Sequence, residues 1–549
     1  MLRRYRRRAA MVAASVLSLT LALTACSSGE EPQKGEDLSA FRVGAMEKYG
    51  VGDQFKATES LKFSTMMLSN AAYPFKDDWL FLKELTKRTN ITIDPVVIPG
   101  SDYNQKRGVL IGAGDAPFII PKTYHPDENA FIASGAILPV SDYIDLMPNF
   151  KDKVARNKLE PELNQFRAAD GKFYLLPGLH EKPWQDYTLA MRTDILQQLN
   201  LQMPKTWDEV YTTLKAMKTA YPDSYPLSDR FSKPTPGGNL INLVSIAYGT
   251  RGGWGYQPMT YDASTKKFVV TGAMPQYKQM LEFLAKLVKE GLLDPESFTQ
   301  ADDAARQKLA NGKSFAISTN AQTLVNEYRP DLAKTIPAAK MSKILLPIGP
   351  TGEVNPASRL ESGIMISKKA RDSKNFVAMM QFIDWLWYSD AGQEFAKWGV
   401  EGVTYQKDSS GKFKLTPDVN VVGLNPAGTK HMQKDFGFYN GVFVYGGKPE
   451  IVQAFFSAEE QEFQKVMNAR KPVAVDPPYP LTDEEREQVT LWETPLKDFV
   501  FAQSLRFILG QRPMTEWDAY LTELKGKNTQ QFVDLVNKAA DRYKTAHPS

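Results

Sequence analysis

Cysteine is almost absent: Cys26 is the only one in 549 residues. A single thiol closes no intramolecular disulfide and builds no zinc site unaided, so the chain must hold together by packing in any redox environment. Histidine is nearly as scarce, with four residues (His125, His180, His431 and His547) and no two at metal-ligand spacing. "HEKPW" (180–184) begins like a zinc-protease motif but has Trp184 where the second histidine must stand. "NGKSF" (311–315) ends like a phosphate-binding loop, yet Gln307 occupies the place of its first glycine and no strand precedes it. It reads instead as a helix-ending glycine followed by a strand. No G-x-S-x-G elbow occurs. Carboxylate pairs of the glycosidase kind leave no local signature, and Asp77-Asp78 and Asp302-Asp303 read as solvated helix starts. Long apolar runs are missing too: beyond residue 25 nothing approaches the roughly 20 residues needed to cross a bilayer. The chain reads as a non-enzyme that does not span the membrane.

The N-terminus is distinctive. Arg3, Arg4, Arg6, Arg7 and Arg8 precede an uncharged, mostly apolar run, Ala9–Leu23, and small residues stand just before Cys26. This is the layout of a secretory signal. Leu23-Thr24-Ala25-Cys26 resembles the bacterial lipobox, in which the cysteine is lipidated, for instance with palmitate, and becomes the mature N-terminus. Residues 1–25 are thus expected to be a lipoprotein signal peptide. Cys26 would then be a lipid anchor on the extracellular face of the cell membrane. Removing 1–25 leaves 524 residues and takes the formal charge from +4 to −1. The basicity belongs to the leader, which argues against nucleic acid as a partner.

Charge, Gly and Ser without periodicity make 26–58 a flexible tether. "LKFSTMML" (61–68), "ITIDPVVI" (91–98) and "APFIIP" (116–121) read as strands, with a helix over 77–90 that ends at Asn90. Strand–helix–strand at this spacing predicts a parallel sheet in an α/β domain. "ADGKFYLLPG" (169–178) is a turn into a strand, and "DYTLAMRTDIL" (186–196) is another. Thr206 and Glu209 form a capping box before a helix. Helical apolar faces recur at Tyr277, Met280, Leu281, Leu284 and Leu287, and again at Phe376, Met379, Met380, Ile383 and Leu386. The Pro-rich "VDPPYP" (475–480) precedes a helical C-terminal region.

Several of these patterns, in order, resemble the extracellular solute-binding lipoproteins of ABC importers (family 1 type), in particular the long, oligosaccharide-type LplA/LipO-like subgroup. The lipobox is the first of them. "DDWLFLKELTKRTNITI" follows, then "GAGDAPFII" (112–120), where Phe118 replaces an acid often found in the family. "GAILPVSDYIDLMPNF" (135–150), "AMRTDILQQLNLQMPKTWDEVYTTLKAMK" (190–218) and "LVKEGLLDPESF" (287–298) continue the series. The most specific is "ESGIMISKKARDSKNFVAMMQFIDWLWYSDAGQEFAKWGVEGVTY" (361–405), and "EWDAYLTELKGKNTQQFVDLVNKAADRY" (516–543) closes it.

The resemblance implies an α/β, periplasmic-binding-protein-like II fold: two α/β lobes joined by crossing segments, with solute trapped in the interlobe cleft. The first lobe is expected at 59–187 and 360–405, the second at 188–359 and 406–480, with 481–549 a C-terminal helical region packing on them. It also implies a monomer, without cofactor, that hands a solute to ABC permease subunits. A structural calcium occurs in some relatives, but no D-x-[DN]-x-[DN]-G loop is present here. A sugar site needs flat aromatics for the C–H face and planar polar groups for hydroxyl pairs. Family position and neighbouring Gly or Pro point to Asn70, Tyr73, Trp79, Tyr124 (with His125), Trp184, Tyr187, Arg192, Trp254, Tyr256, Arg359, Glu361, Trp398, Glu401 and Tyr405. Arg192 has an alternative as the partner of an acid at the hinge. Trp385, Trp387, Trp492 and Trp517 are assigned to packing. An oligosaccharide or related glycoside leads as ligand. Another polar solute such as a peptide, and a lipid-anchored glycoside hydrolase, remain alternatives. A likeness to an alginate receptor raises acidic sugars, against which the near-neutral mature charge stands.

Overall fold

A computed structural model describes residues 37–70, 73–230, 235 and 237–547. The leader and Cys26 lie outside the described residues. From Phe41 onward the chain carries two principal sheets, whose strands are numbered here in chain order: β1 (Leu61–Ser69), β2 (Ile91–Pro99), β3 (Ile119–Thr123), β4 (Leu176–His180), β5 (Thr188–Arg192), β6 (Ala316–Thr319), β7 (Met341–Lys343), β8 (Leu360–Ile366) and β9 (Gly446–Gly447). The first sheet has the order β9-β4-β8-β3-β1-β2 and the second β6-β5-β7.

Local sequence explains the first βαβ unit. The helix Leu80–Thr89 stops at Asn90, which takes the left-handed conformation that asparagine tolerates well. The chain then runs back as β2, parallel to β1 in one register from Leu61↔Ile91 to Ser69↔Pro99. β8 returns antiparallel between β3 and β4. Against this sheet lies Phe376–Tyr388, a helix buried on every side, which is why its apolar residues outnumber a single stripe.

The second lobe is organised by the helix Pro275–Lys289, which ends before Gly291 (φ 67°). The capping box at Thr206 and Glu209 opens the helix Trp207–Ala220. The C-terminal helices Asp483–Ile508, Trp517–Lys525 and Thr529–Ala546 share the core of this lobe: Leu496, Val500, Tyr520 and Phe532 are buried in one cluster with Tyr277, Met280 and Leu284.

Two boundaries differ from the sequence expectation. The tether expected over 26–58 is structured from Phe41. Val43 N–H donates to the Lys374 carbonyl (3.0 Å), Ala57 N–H to that of Thr89 (2.8 Å), and Phe55 is fully buried beside Phe382. Residues 406–480 are not all second lobe. β9 pairs with β4, Phe443 stacks on Phe81 at 3.9 Å, and the Ile451 carbonyl receives the Trp398 indole N–H, so the part up to Phe456 belongs with the first lobe. The helix Ala458–Asn468 puts Phe463 and Met467 into the second-lobe core.

Candidate functional site

The chain leaves the first sheet through β4, crosses at Glu181–Tyr187 and enters the second as β5. Beside this crossing lies a cavity of about 460 Å³, open solvent at its mouth included, whose walls include Trp184, Asp186, Asn320, Tyr439, Phe456 and Glu460. Its walls come from both lobes. Asn320 ends β6 and caps the following turn, accepting from Thr323 N–H at 2.8 Å. Ser457 likewise caps the helix that carries Glu460, accepting from Glu460 N–H at 3.2 Å.

Three non-glycine residues at the cleft hold left-handed backbone: Lys122 (φ 57°), Val422 (φ 44°) and Tyr439 (φ 55°). For a β-branched valine this conformation is strained, and such strain persists only where the surroundings enforce it, commonly at ligand sites. Gly178 serves the same wall differently. A Cβ there would lie 2.4 Å from the Tyr445 Cβ, so only glycine lets Tyr445 settle on β4.

The polar groups form one network. Lys343 donates to both Glu460 carboxylate oxygens (3.0 Å each) and to the Asp186 carbonyl (3.0 Å). Asn320 Nδ2 reaches the Asp186 carboxylate at 3.3 Å. Burial pushes the Asp186 carboxyl up to about 7, with Lys343 opposing and Glu361 and Glu460 adding to the rise. Burial also raises Glu460 and brings Lys397 down to about 8. The Tyr439 hydroxyl is raised by burial and by Asp186 and Glu361, which places all three groups within electrostatic reach. His180 Nε2 meets Glu361 at 2.7 Å.

The structure gathers about half of the sequence candidates here. Trp184 packs between His180 and Phe456, with centroids at 5.6 Å from each, and its indole N–H has no hydrogen-bond partner among the described residues. Tyr187 meets Trp254 edge to face at 4.9 Å, and Trp254 remains 42% exposed. Tyr124, 48% exposed, shares a hydrogen bond with Tyr445. Tyr73, beside Asn70, lies within reach of Lys122. Glu361 faces the network from β8.

The remaining candidates lie elsewhere. Trp398 is 1% exposed, stacked between Phe413 (4.7 Å) and Phe455 (4.1 Å), with its N–H on the Ile451 carbonyl (3.1 Å). It supports the cavity wall from behind and does not face the cleft. Trp79 is buried, its N–H bound to the Lys434 carbonyl, and Gly437 packs on its ring. Tyr256 is buried against Tyr277 and Phe501 in the second-lobe core. Tyr405 is buried and donates to Glu394 (2.6 Å), while Glu401 is exposed in the preceding turn. Arg192 forms a bidentate pair with Asp194 (2.8 and 2.6 Å). Arg359 is held by Glu162 and the Asn157 carbonyl. In most of these cases packing or a nearby acid holds the side chain away from the cavity.

Asp186, Asn320, Tyr439, Phe456 and Glu460 were missed. "DFGFYNGVFVYGG" (435–447) carries the same mixture of glycine and aromatics that drew attention to Trp254, and it would have found Tyr439 and Tyr445. Asp186 stands between two residues that were selected, Trp184 and Tyr187.

Two α/β lobes with a polar, aromatic cavity at the crossing define a solute-binding receptor. A model of the bacterial extracellular solute-binding proteins matches residues 71–394, and the chain belongs to that family, the receptors of ABC importers with the periplasmic-binding-protein-like II fold. It is 25% identical over 361 residues to the polygalacturonan/rhamnogalacturonan-binding protein YtcQ of Bacillus subtilis, covering 64% of this chain and 68% of that one. It is 24% identical over 522 residues to the fructooligosaccharide ABC transporter substrate-binding protein FusA of Streptococcus pneumoniae, covering 90% and 92%. Among solved structures it is similar to the alginate-binding protein AlgQ2 without calcium ion, with a TM-score of 0.69 at 22% identity over 89% of this chain and 99% of that one. That last likeness concerns the fold.

Proposed function

We propose that this chain is a lipid-anchored extracellular receptor that captures an oligosaccharide between its lobes and delivers it to an ABC permease. One observation carries the reading: the cavity wall sets aromatic faces (Trp184, Tyr439, Phe456) beside groups that bond vicinal hydroxyls (Asp186, Asn320, Glu460). Apolar C–H faces and hydroxyl belts need this combination. The relatives that are named for sugars support it. Hinge closure would move the ligand from water into this slot, so that binding energy shifts the open–closed balance. Cys26 would hold the receptor beside the permease through its lipid.

The test is a thermal-shift screen of residues 27–549 against mono- and oligosaccharides, followed by calorimetry. A ligand present at about 100 times its Kd stabilises by about 2.7 kcal/mol. No shift with any oligosaccharide, together with a shift for a peptide, would replace the reading.

A hydrolase reading draws on a specific observation, since Asp186 and Glu460 both line the cavity. Glu460 is, however, occupied by Lys343 and Gln464. The expected outcome is that a bound oligosaccharide is recovered intact by chromatography. Turnover abolished by Asp186→Asn would establish an enzyme.

A further inference from the structure

We infer that the captured oligosaccharide is uncharged and that Asp186 is the residue that turns away uronate-bearing chains. The inference rests on the oligosaccharide reading above. Relatives named for polygalacturonan and alginate make acidic sugars an open alternative, so the charges that face the cavity decide between the two.

Most basic groups near the cavity are already engaged by the protein, and Lys182, beside Trp184, is exposed to solvent. Lys343, with a side chain only 3% exposed, is shared by Glu460 and the Asp186 carbonyl. Arg230 is buried, donates to Thr323 Oγ1 (3.2 Å) and lies 5.2 Å over the Tyr328 ring. Lys122 is hydrogen-bonded to the Tyr445 hydroxyl and sits 4.5 Å over that ring. His180 is paired with Glu361. Lys397 is 7% exposed, and burial brings it down to about 8, so a smaller share of it is charged than of a free lysine.

The acids present the opposite picture. Among the described residues the Asp186 carboxylate has no ion pair, and its hydrogen-bond partner is Asn320 at 3.3 Å. Glu361 and Glu460 lie within electrostatic reach of it. A ligand on this wall therefore meets acceptors first. Sugar hydroxyls can donate to both oxygens of Asp186. A uronate carboxylate would meet a like charge in a poorly solvated slot, and one of the two would have to take up a proton. The formal charge of −1 beyond residue 25 fits the same picture, because nothing in it would draw a polyanion to the cleft.

Calorimetry on residues 27–549 tests this with matched trimers: the uncharged kestose, xylotriose, maltotriose and galactotriose against trigalacturonate and trimannuronate. At least one neutral trimer should bind about tenfold or more tighter than either uronate. Asp186→Asn should narrow that ratio by about tenfold. On the wild-type protein, which needs no variant to fold, any uronate binding should strengthen at least about threefold from pH 8 to pH 6 while neutral binding stays level or weakens as Asp186 loses an acceptor. A uronate that binds as tightly as the best neutral trimer overturns the inference and leaves the oligosaccharide reading intact. An unchanged ratio in a folded Asp186→Asn variant removes Asp186 from the role. Failure of every trimer to bind defeats the oligosaccharide reading itself.

Discussion

Trp254 and Trp398 each stand beside glycine, yet one ring is 42% exposed and the other 1%. Glycine announces that the backbone is free to turn, but the side chain's direction depends on what packs behind it. For Trp398 that is Phe413, Phe455 and a carbonyl from a segment some fifty residues on, which no local pattern reveals. The two tryptophans should therefore separate in one experiment. Trp398→Ala empties a stacked core site and should cost about 3–5 kcal/mol of apo stability, read as a large fall in Tm. Trp254→Ala should leave apo Tm nearly unchanged and weaken ligand binding by about 1–3 kcal/mol. Reversal of the two phenotypes would exchange their roles. A second expectation concerns protons. Asp186 and Asp384 are pushed up by burial to about 7 and about 6, from 3.8 in the unfolded chain. Between those limits the folded protein holds more protons than the unfolded one, so stability falls as pH rises through the window and the loss is complete above about 7. His431, lowered by burial from 6.5, acts in the opposite sense, as do Asp194, Asp331 and Glu485, held below the usual carboxylate range, at the acid end of the window. The apo Tm should rise as pH drops from about 7.5 to about 5.5, and Asp186→Asn should flatten part of that slope.

Periodic elements were legible because a helix stripe or a buried strand is written in consecutive residues: the turn at Gly291, the box at Thr206 and the strand β1 all stand where the pattern puts them. The strap from Phe41 to Ala57 has no period, and its polar composition matched a tether. Its few apolar and hydroxyl residues dock at long range. Tyr49 donates to Asp384 (2.9 Å) and lies edge-on to Phe55, while Met46 N–H donates to Gln381 (2.9 Å). Asp384 also accepts from the backbone of Asn149 and Phe150 (3.1 and 2.9 Å), which fixes the start of the helix Pro148–Arg156. Tyr49→Phe should cost about 1–2 kcal/mol and lower Tm by a few degrees, without a change in ligand affinity. An unaltered melt would mean that the strap contributes nothing to the fold.

At the scale of the whole molecule, the ordered series of motifs pointed to the right architecture because order along a chain is hard to imitate. The division of 406–480 was misjudged because a segment's lobe is decided by pairing, such as that of β9 with β4, and not by its own composition. The proposed lipid anchor rests on one residue. Cys26→Ser should move it from the membrane fraction to the medium while its melt and sugar binding persist, and retention of the leaderless variant in the membrane would refute the lipid anchor. The position of β8 carries a consequence for maturation. It lies between β3 and β4, so β4 stays apart from the early trio β3-β1-β2 until residues 360–366 have been synthesised. The first lobe is thus completed late, by closure of long loops, which is slow, and the second, whose core holds the C-terminal helices, later still. A nascent chain truncated at residue 359 should remain protease-sensitive, whereas one extended through Gly447 holds every strand of that sheet. Both lobes of this receptor are complete only when its polypeptide is nearly all available.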